Sequence, residues 1–154
     1  MNECIEKLKG QNPEFDHYLF DDEDCREFIR LNFWDEVVKA FDALIPGAFR
    51  ADLFRACVLY INGGIYMNIK LYCINEFKLI DLTNIEHLVY DLDKTAMWNA
   101  FIITRSGNEI LLKQIESIVE NIKNDFYGID CLSPTACRLL GKVYYENKHL
   151  IPEI

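Results

Sequence analysis

The adjacent glycines Gly63 and Gly64 constrain the fold of this chain more than any other feature. They separate a helix-like run, residues 51–62, from the short apolar stretch Ile65-Tyr66-Met67-Asn68-Ile69. Glycine tolerates the positive φ that a helix C-terminus requires, so the pair reads as a helix stop opening directly into a buried strand. A helix delivered onto a strand through so short a turn is the signature of an α/β arrangement.

The flanking sequence extends that reading. Phe28, Leu31, Trp34, Val38, Phe41 and Leu44 recur at three- and four-residue spacing, which predicts helix between residues 22 and 44. Asn32 divides the stretch into two helices, and Pro46-Gly47 ends them. Asp21-Asp22-Glu23-Asp24 reads as a helix start rather than a metal cluster, because first-turn acids complement the helix dipole and Asp21 or Asp22 can cap. Residues 1–11 read as a loose leader or short helix, and residues 15–20 as a short extended piece. Residues 77–82, 88–92 and 100–104 are further strand candidates. Ser106-Gly107-Asn108-Glu109 matches a capping box before a helical run from Ile110 to Ile122. Ser133-Pro134 offers a cap and a first-turn proline for a last helix reaching about Tyr145. The expected architecture is one α/β domain over residues 1–154, a small mixed sheet flanked by helices.

Length agrees, since 154 residues is one domain at roughly 150 per domain. A chain of this size buries about 70% of its unfolded surface, enough for a core without staples. Sixteen basic against twenty-five acidic residues leave a net charge of −9, which excludes a nucleic-acid partner held through its phosphates. An anionic ligand must be held locally, against the global field. No apolar run of about 18 residues spans a membrane, and the charged N-terminus lacks the apolar region of a signal peptide. Cys4, Cys25, Cys57, Cys73, Cys131 and Cys137 are scattered, with no C-x-x-C and no Asn-x-Ser/Thr acceptor in the chain. They read as reduced thiols of a cytoplasmic protein. No His or acid is placed to activate any of them, and His17, His87 and His149 lack zinc-like spacing.

Chemistry concentrates in residues 49–70. Asp52 and Arg55 stand at i and i+3 near the start of a helix and project from one face. Alone, such a pair is more often a surface ion pair than a ligand clamp. Here the Gly-Gly turn follows, and then a strand carrying Asn68 and Lys70 two residues apart on one face, at the end where α/β sheets place ligands.

Ala51-Asp52-Leu53-Phe54-Arg55, Leu59-Tyr60 and Gly63-Gly64-Ile65-Tyr66 resemble glycosyltransferases of the sugar-binding-region type with a DXD motif. That family includes yeast-type initiating mannosyltransferases and, more distantly, glucosylating bacterial toxins. The likeness reaches outward through Asn12-Pro13-Glu14, Trp98-Asn99-Ala100, Gly107-Asn108-Glu109 and Pro134-Thr135, covering nearly the whole chain. The resemblance implies a GT-A-like nucleotide-sugar fold and retaining transfer of a sugar from a nucleoside-diphosphate sugar. It implies that Asp52 and Arg55 contact donor hydroxyls and that Tyr66 lines the pocket. Alanine at Asp52 or Arg55 is then expected to abolish donor binding and leave the fold intact.

Departures from the pattern qualify the chemistry. The DXD positions hold Asn68 and Lys70, a weak neutral ligand and a cation, so the family's Mn²⁺ is not expected and no cofactor is assigned. Thr135-Ala136-Cys137 stands where the family commonly has Thr-Gly-Pro, and the family's Ile- and Pro-rich first strand has no counterpart in the sequence. Three readings follow. In a metal-independent transferase, Lys70 would neutralise the diphosphate and Asn68 would hydrogen-bond nearby. In a catalytically inactive relative, the pocket or surface would bind a glycan, a nucleotide or a protein. In the third, Asp91 and Asp93 would form a displaced DXD pair, against the simpler reading of a solvated strand end.

Overall fold

The computed structural model describes residues 2–75, 77–92 and 94–150. Six helices and three strands follow in the order α1 (Asn2–Gln11), α2 (Asp22–Asn32), α3 (Asp35–Ala43), α4 (Gly47–Asn62), β1 (Gly64–Met67), β2 (His87–Tyr90), β3 (Met97–Thr104), α5 (Glu109–Lys123) and α6 (Cys137–Asn147) among the described residues. Single 3-10 turns occupy Leu79–Leu82 and Lys148–Leu150.

Local chemistry sets most of these limits. Asp21 caps α2: its carboxylate accepts from Asp24 N at 2.9 Å, while Asp24 returns a bond to Asp21 N at 3.2 Å. Asn32 ends that helix as expected, its amide turned back to donate to Phe28 O at 2.8 Å. Helix α4 starts at Gly47 rather than residue 51, because Pro46, at φ −67°, is already set to lead in. Gly63 stops it at φ +66°, and a Cβ there would lie 2.6 Å from Ser106 N. The helix end thus rests on the turn after β3, tied by Gly107 N to Tyr60 O at 2.7 Å and Ser106 Oγ to Ile61 O at 2.7 Å.

The sheet order is β1-β3-β2, with Tyr66 and Leu88 both opposite Ile102. Both ladders are antiparallel, so among the described residues no parallel pair contributes to the mixed sheet that was expected. Leu53, Ile102, Ile110, Leu111, Ile115, Ile118 and Leu140 are fully buried where α4, β3, α5 and α6 meet. Helix α4 buries charged and apolar residues alike, from Asp52 to Leu59, and is the central helix of the layer. The α/β class, helices around a small sheet, stands as expected.

Several elements differ from expectation. Residues 77–82 form no strand; Leu79 N donates to the buried Asn12 Oδ1 at 3.0 Å, and this pulls the segment into a 3-10 turn. Strand β2 ends at Tyr90, and β3 begins at Met97 rather than residue 100. Asn108, not Ser106, caps α5, accepting from Ile110 N at 2.9 Å. Ser133 donates to Asp130 Oδ1 at 2.8 Å instead of capping, so α6 begins only at Cys137. Residues 16–20 form no regular element and do not join the sheet, and residues 2–11 form α1.

Candidate functional site

Helix α4 carries Asp52 and Arg55 one turn apart toward β3. Each is only 5% exposed, so the pair is not the surface ion pair its spacing alone suggested. Arg55 Nη2 lies 2.9 Å from Asp52 Oδ1. Its Nη1 donates to Asn99 O of β3, and its Nε donates to Ala51 O at 3.2 Å. The carboxylate also accepts from Asn99 Nδ2 at 3.0 Å on Oδ1 and from Thr135 Oγ1 at 2.8 Å on Oδ2. One buried polar network therefore joins α4, β3 and the segment before α6.

Burial pushes the Asp52 pKa above its ordinary value, against the opposing pull of Arg55, Thr135 and Asn99. Removing either charge strands the other in a site with almost no water. The expectation that alanine at Asp52 or Arg55 leaves the fold intact is therefore corrected. Asn99 and Thr135 entered the sequence reading only within longer matched stretches. A polar Asn inside the apolar run of β3 was the available signal, because a buried amide requires partners.

Tyr66 extends the network outward. The Arg55 guanidinium carbon sits 4.7 Å from the centre of its ring, a cation–π contact. Burial raises the Tyr66 pKa, countered by Arg55 and reinforced by Asp52 and Cys25. Its hydroxyl donates to Asn68 Oδ1 at 3.2 Å. Asn68 N donates to Ala100 O at 2.9 Å, and Leu71 N then closes on Asn68 O at 2.8 Å. Strand β1 has ended by this point, and Lys70 lies exposed in the turn. The sequence predicts that Asn68 and Lys70 share a strand face; instead Asn68 opens a turn at the end of β1 and Lys70 lies within it.

Asp91 accepts from Leu92 N at 2.7 Å and stabilises its own turn, while Asp93 lies outside the described residues. A cavity of about 1080 Å³ opens on another side of α4, lined by Ala51, Phe54, Val58, Phe20, Tyr66 and Ile69 among others. Asp52, Arg55, Asn68 and Lys70 do not line it; Tyr66 borders both.

Residues 1–90 match the model of a family described as the glycosyltransferase sugar-binding region containing a DXD motif. Inositol phosphoceramide mannosyltransferase 3 of Schizosaccharomyces pombe is 32% identical over 80 residues, covering 47% of this chain and 22% of that protein. The initiation-specific alpha-1,6-mannosyltransferase of Candida albicans is 31% identical over 63 residues, covering 40% of this chain and 16% of that protein. An uncharacterized glycosyltransferase of Acanthamoeba polyphaga mimivirus is 32% identical over 62 residues, covering 40% of this chain and 25% of that protein. The chain thus spans a quarter or less of the length of these relatives. Among solved structures, the PaToxG glycosyltransferase superposes with a TM-score of 0.68 at 16% identity, covering 97% of this chain and 63% of that one. That likeness establishes the fold.

Proposed function

The chain belongs to the family of glycosyltransferase sugar-binding regions containing a DXD motif, and on that premise we propose that it binds a nucleoside-diphosphate sugar at the turn ending β1 and serves glycosyl transfer with retention. The observation carrying this reading is the connected path from the buried pair to that turn: Asp52 to Arg55, Arg55 under the Tyr66 ring, and Tyr66 to Asn68. Such a path fixes the turn relative to α4, and preorganisation of this kind lowers the cost of ordering a ligand. Asp52 and Arg55 act mainly as its anchor, while Tyr66, Asn68 and Lys70 meet the donor.

The donor set at this turn does not suit the family's Mn²⁺. Asn68 Oδ1 already accepts from Tyr66, Lys70 repels a cation, and no three His, Cys, Asp or Glu converge among the described residues. In the proposed site the Lys70 ammonium meets the diphosphate in the metal's place and stabilises the charge that grows on the leaving group. No acceptor, glycan or protein, is assigned. Among the described residues no helix is long and apolar enough to cross a membrane. The reading of a cytoplasmic protein rests on the sequence alone, on cysteines scattered without C-x-x-C spacing.

A binding-only module is the second reading, favoured by one observation: every charged atom of the buried pair is already satisfied within the protein. Calorimetric titration with nucleoside-diphosphate sugars and free nucleoside diphosphates, with Mn²⁺ and with chelator, tests the proposal. Binding that survives the chelator and weakens in Lys70→Ala supports it, and donor turnover then separates transferase from binding module. Absence of binding in both conditions overturns it.

A further inference from the structure

The turn that carries Asn68 and Lys70 stands at the head of a segment with little regular structure. Residues 68–78 form neither helix nor strand among the described residues. Within the turn, Leu71 N closes on Asn68 O at 2.8 Å, and one such bond does not by itself fix an exposed loop. A lysine there meets a ligand at low ordering cost only if contacts from outside the segment hold the turn in place.

Two aromatic rings bracket the turn. Tyr66, two residues before Asn68, lies against Arg55 of α4, with the guanidinium carbon 4.7 Å from the ring centre. Tyr72, two residues after Lys70, lies against Lys7 of α1, with Nζ 3.9 Å from the ring centre. Both are cation–π contacts, and in both the cation comes from a helix. The first ties the turn to the core, and the second ties it to α1. Tyr72 is 40% exposed and Lys7 is exposed, so the second contact can be removed without opening the core.

The end of α1 continues the same attachment. Gln11 Nε2 donates to Cys73 O at 2.9 Å, and the fully buried Asn12 directs its Nδ2 at Cys73 Sγ, 3.9 Å away. Asn12 Oδ1 accepts from Leu79 N at 3.0 Å, and Lys78 Nζ donates to Gln11 O. From Tyr72 to Leu79 the segment is thus fastened along one helix and the residue that follows it. Lys9 of the same helix pairs with Glu6 at 3.8 Å, whereas Lys7 turns to the ring.

We propose that Lys7 is a positioning residue of the donor site: its ammonium on the Tyr72 ring fixes the turn, and with it the Lys70 ammonium, without itself reaching the diphosphate. Helix α1 is thereby part of the frame of the site. That the turn meets a nucleoside diphosphate rests on the function proposed above; that Lys7 holds the turn does not.

The test uses the whole chain, ¹⁵N-labelled, as wild type, Lys7→Met, Lys7→Arg and Tyr72→Leu. Methionine keeps an unbranched stem and drops the charge, while arginine keeps a cation for the ring. Without ligand, the order parameters of the Lys70 and Leu71 amides should fall in Lys7→Met and Tyr72→Leu and return in Lys7→Arg, with the urea midpoint unchanged. In chelator, affinity for uridine diphosphate or guanosine diphosphate should weaken by about two- to fivefold in Lys7→Met and recover in Lys7→Arg. In a Lys70→Ala background Lys7→Met should cost less than about twofold, because Lys7 acts through the position of Lys70. Order parameters below about 0.6 in wild type, or unmoved by Lys7→Met, overturn the proposal. A loss of the same size with and without Lys70 also overturns it, because Lys7 would then act at the phosphates or through the general field. A wild type that binds neither diphosphate sinks the function proposed above and leaves the order parameters to decide this inference.

Discussion

At the scale of single residues, the Asp52–Arg55 pair decides how this molecule fails. Exposed pairs at this spacing contribute less than about 1 kcal/mol, and losing one partner costs little. Here both side chains are buried, and each satisfies groups on a second element: Arg55 at Asn99 O, Asp52 at Asn99 Nδ2 and Thr135 Oγ1. Arg55→Ala should leave the carboxylate buried with only two neutral donors and destabilise the fold by about 3–5 kcal/mol, read by urea unfolding. Arg55→Lys should recover only part of that, because an ammonium cannot reach Asp52, Asn99 and Ala51 with a planar fork. A loss below about 1 kcal/mol for Arg55→Ala would mean that water reaches the site and the network is not a structural anchor. Donor affinity measured on the still-folded fraction of Arg55→Lys separates anchoring from direct contact, since Tyr66 loses its guanidinium partner while the charge remains.

At the scale of elements, the junction between the two edges of the fold rests on Glu86, which nothing in the sequence singled out. One oxygen, Glu86 Oε1, accepts from Thr104 Oγ1 at 2.6 Å, Arg105 N at 2.8 Å and Asn108 Nδ2 at 3.1 Å. The lead into β2, the end of β3 and the cap of α5 are thereby held at one point. Partial desolvation pushes the Glu86 pKa up, but the bonds from Thr104, Arg105 and Asn108 outweigh it and hold the pKa below the ordinary glutamate value. A depressed folded pKa means stability that is fully present above the ordinary value and is lost as pH falls through the folded one. Glu86→Gln should therefore cost about 1 kcal/mol at neutral pH, discounted for partial exposure, and almost nothing at a pH below the folded pKa of Glu86. An equal gap between variant and wild type at both pH values, in urea unfolding, would contradict it. The same element shows where sequence is legible. Periodicity located α2, α3 and α5, and Gly63-Gly64 located the end of α4 and the helix-to-strand turn, because those features are local. Asn12 pulling Leu79 into a turn, and Glu86 making Asn108 rather than Ser106 the cap, are contacts between distant segments that no local pattern encodes. The candidate site divides the same way. Asp52, Arg55 and Tyr66 were legible from spacing and family likeness. Their burial, and the turn that separates Asn68 from Lys70, depend on how β3 and the segment before α6 close over α4.

At the scale of the whole molecule, a net charge of −9 opposes the very ligand that the family likeness suggests. The two effects act over different distances, and salt separates them. The repelling charges are spread over a domain whose radius of gyration is about 15 Å, beyond the Debye length of about 10 Å at 0.1 M salt. A contact between Lys70 and a diphosphate oxygen would act over about 3 Å, where screening is weakest. Added salt should therefore weaken the global repulsion more than it weakens the local attraction, so affinity should not fall with salt. We expect wild-type affinity for a nucleoside diphosphate to change by less than about threefold between roughly 20 and 300 mM salt, measured calorimetrically in chelator. In Lys70→Ala only the repulsion is left, so affinity should start lower and rise with salt. A wild-type affinity that instead falls steeply and log-linearly with salt would indicate several cations at the phosphates, and the single-lysine site would be wrong.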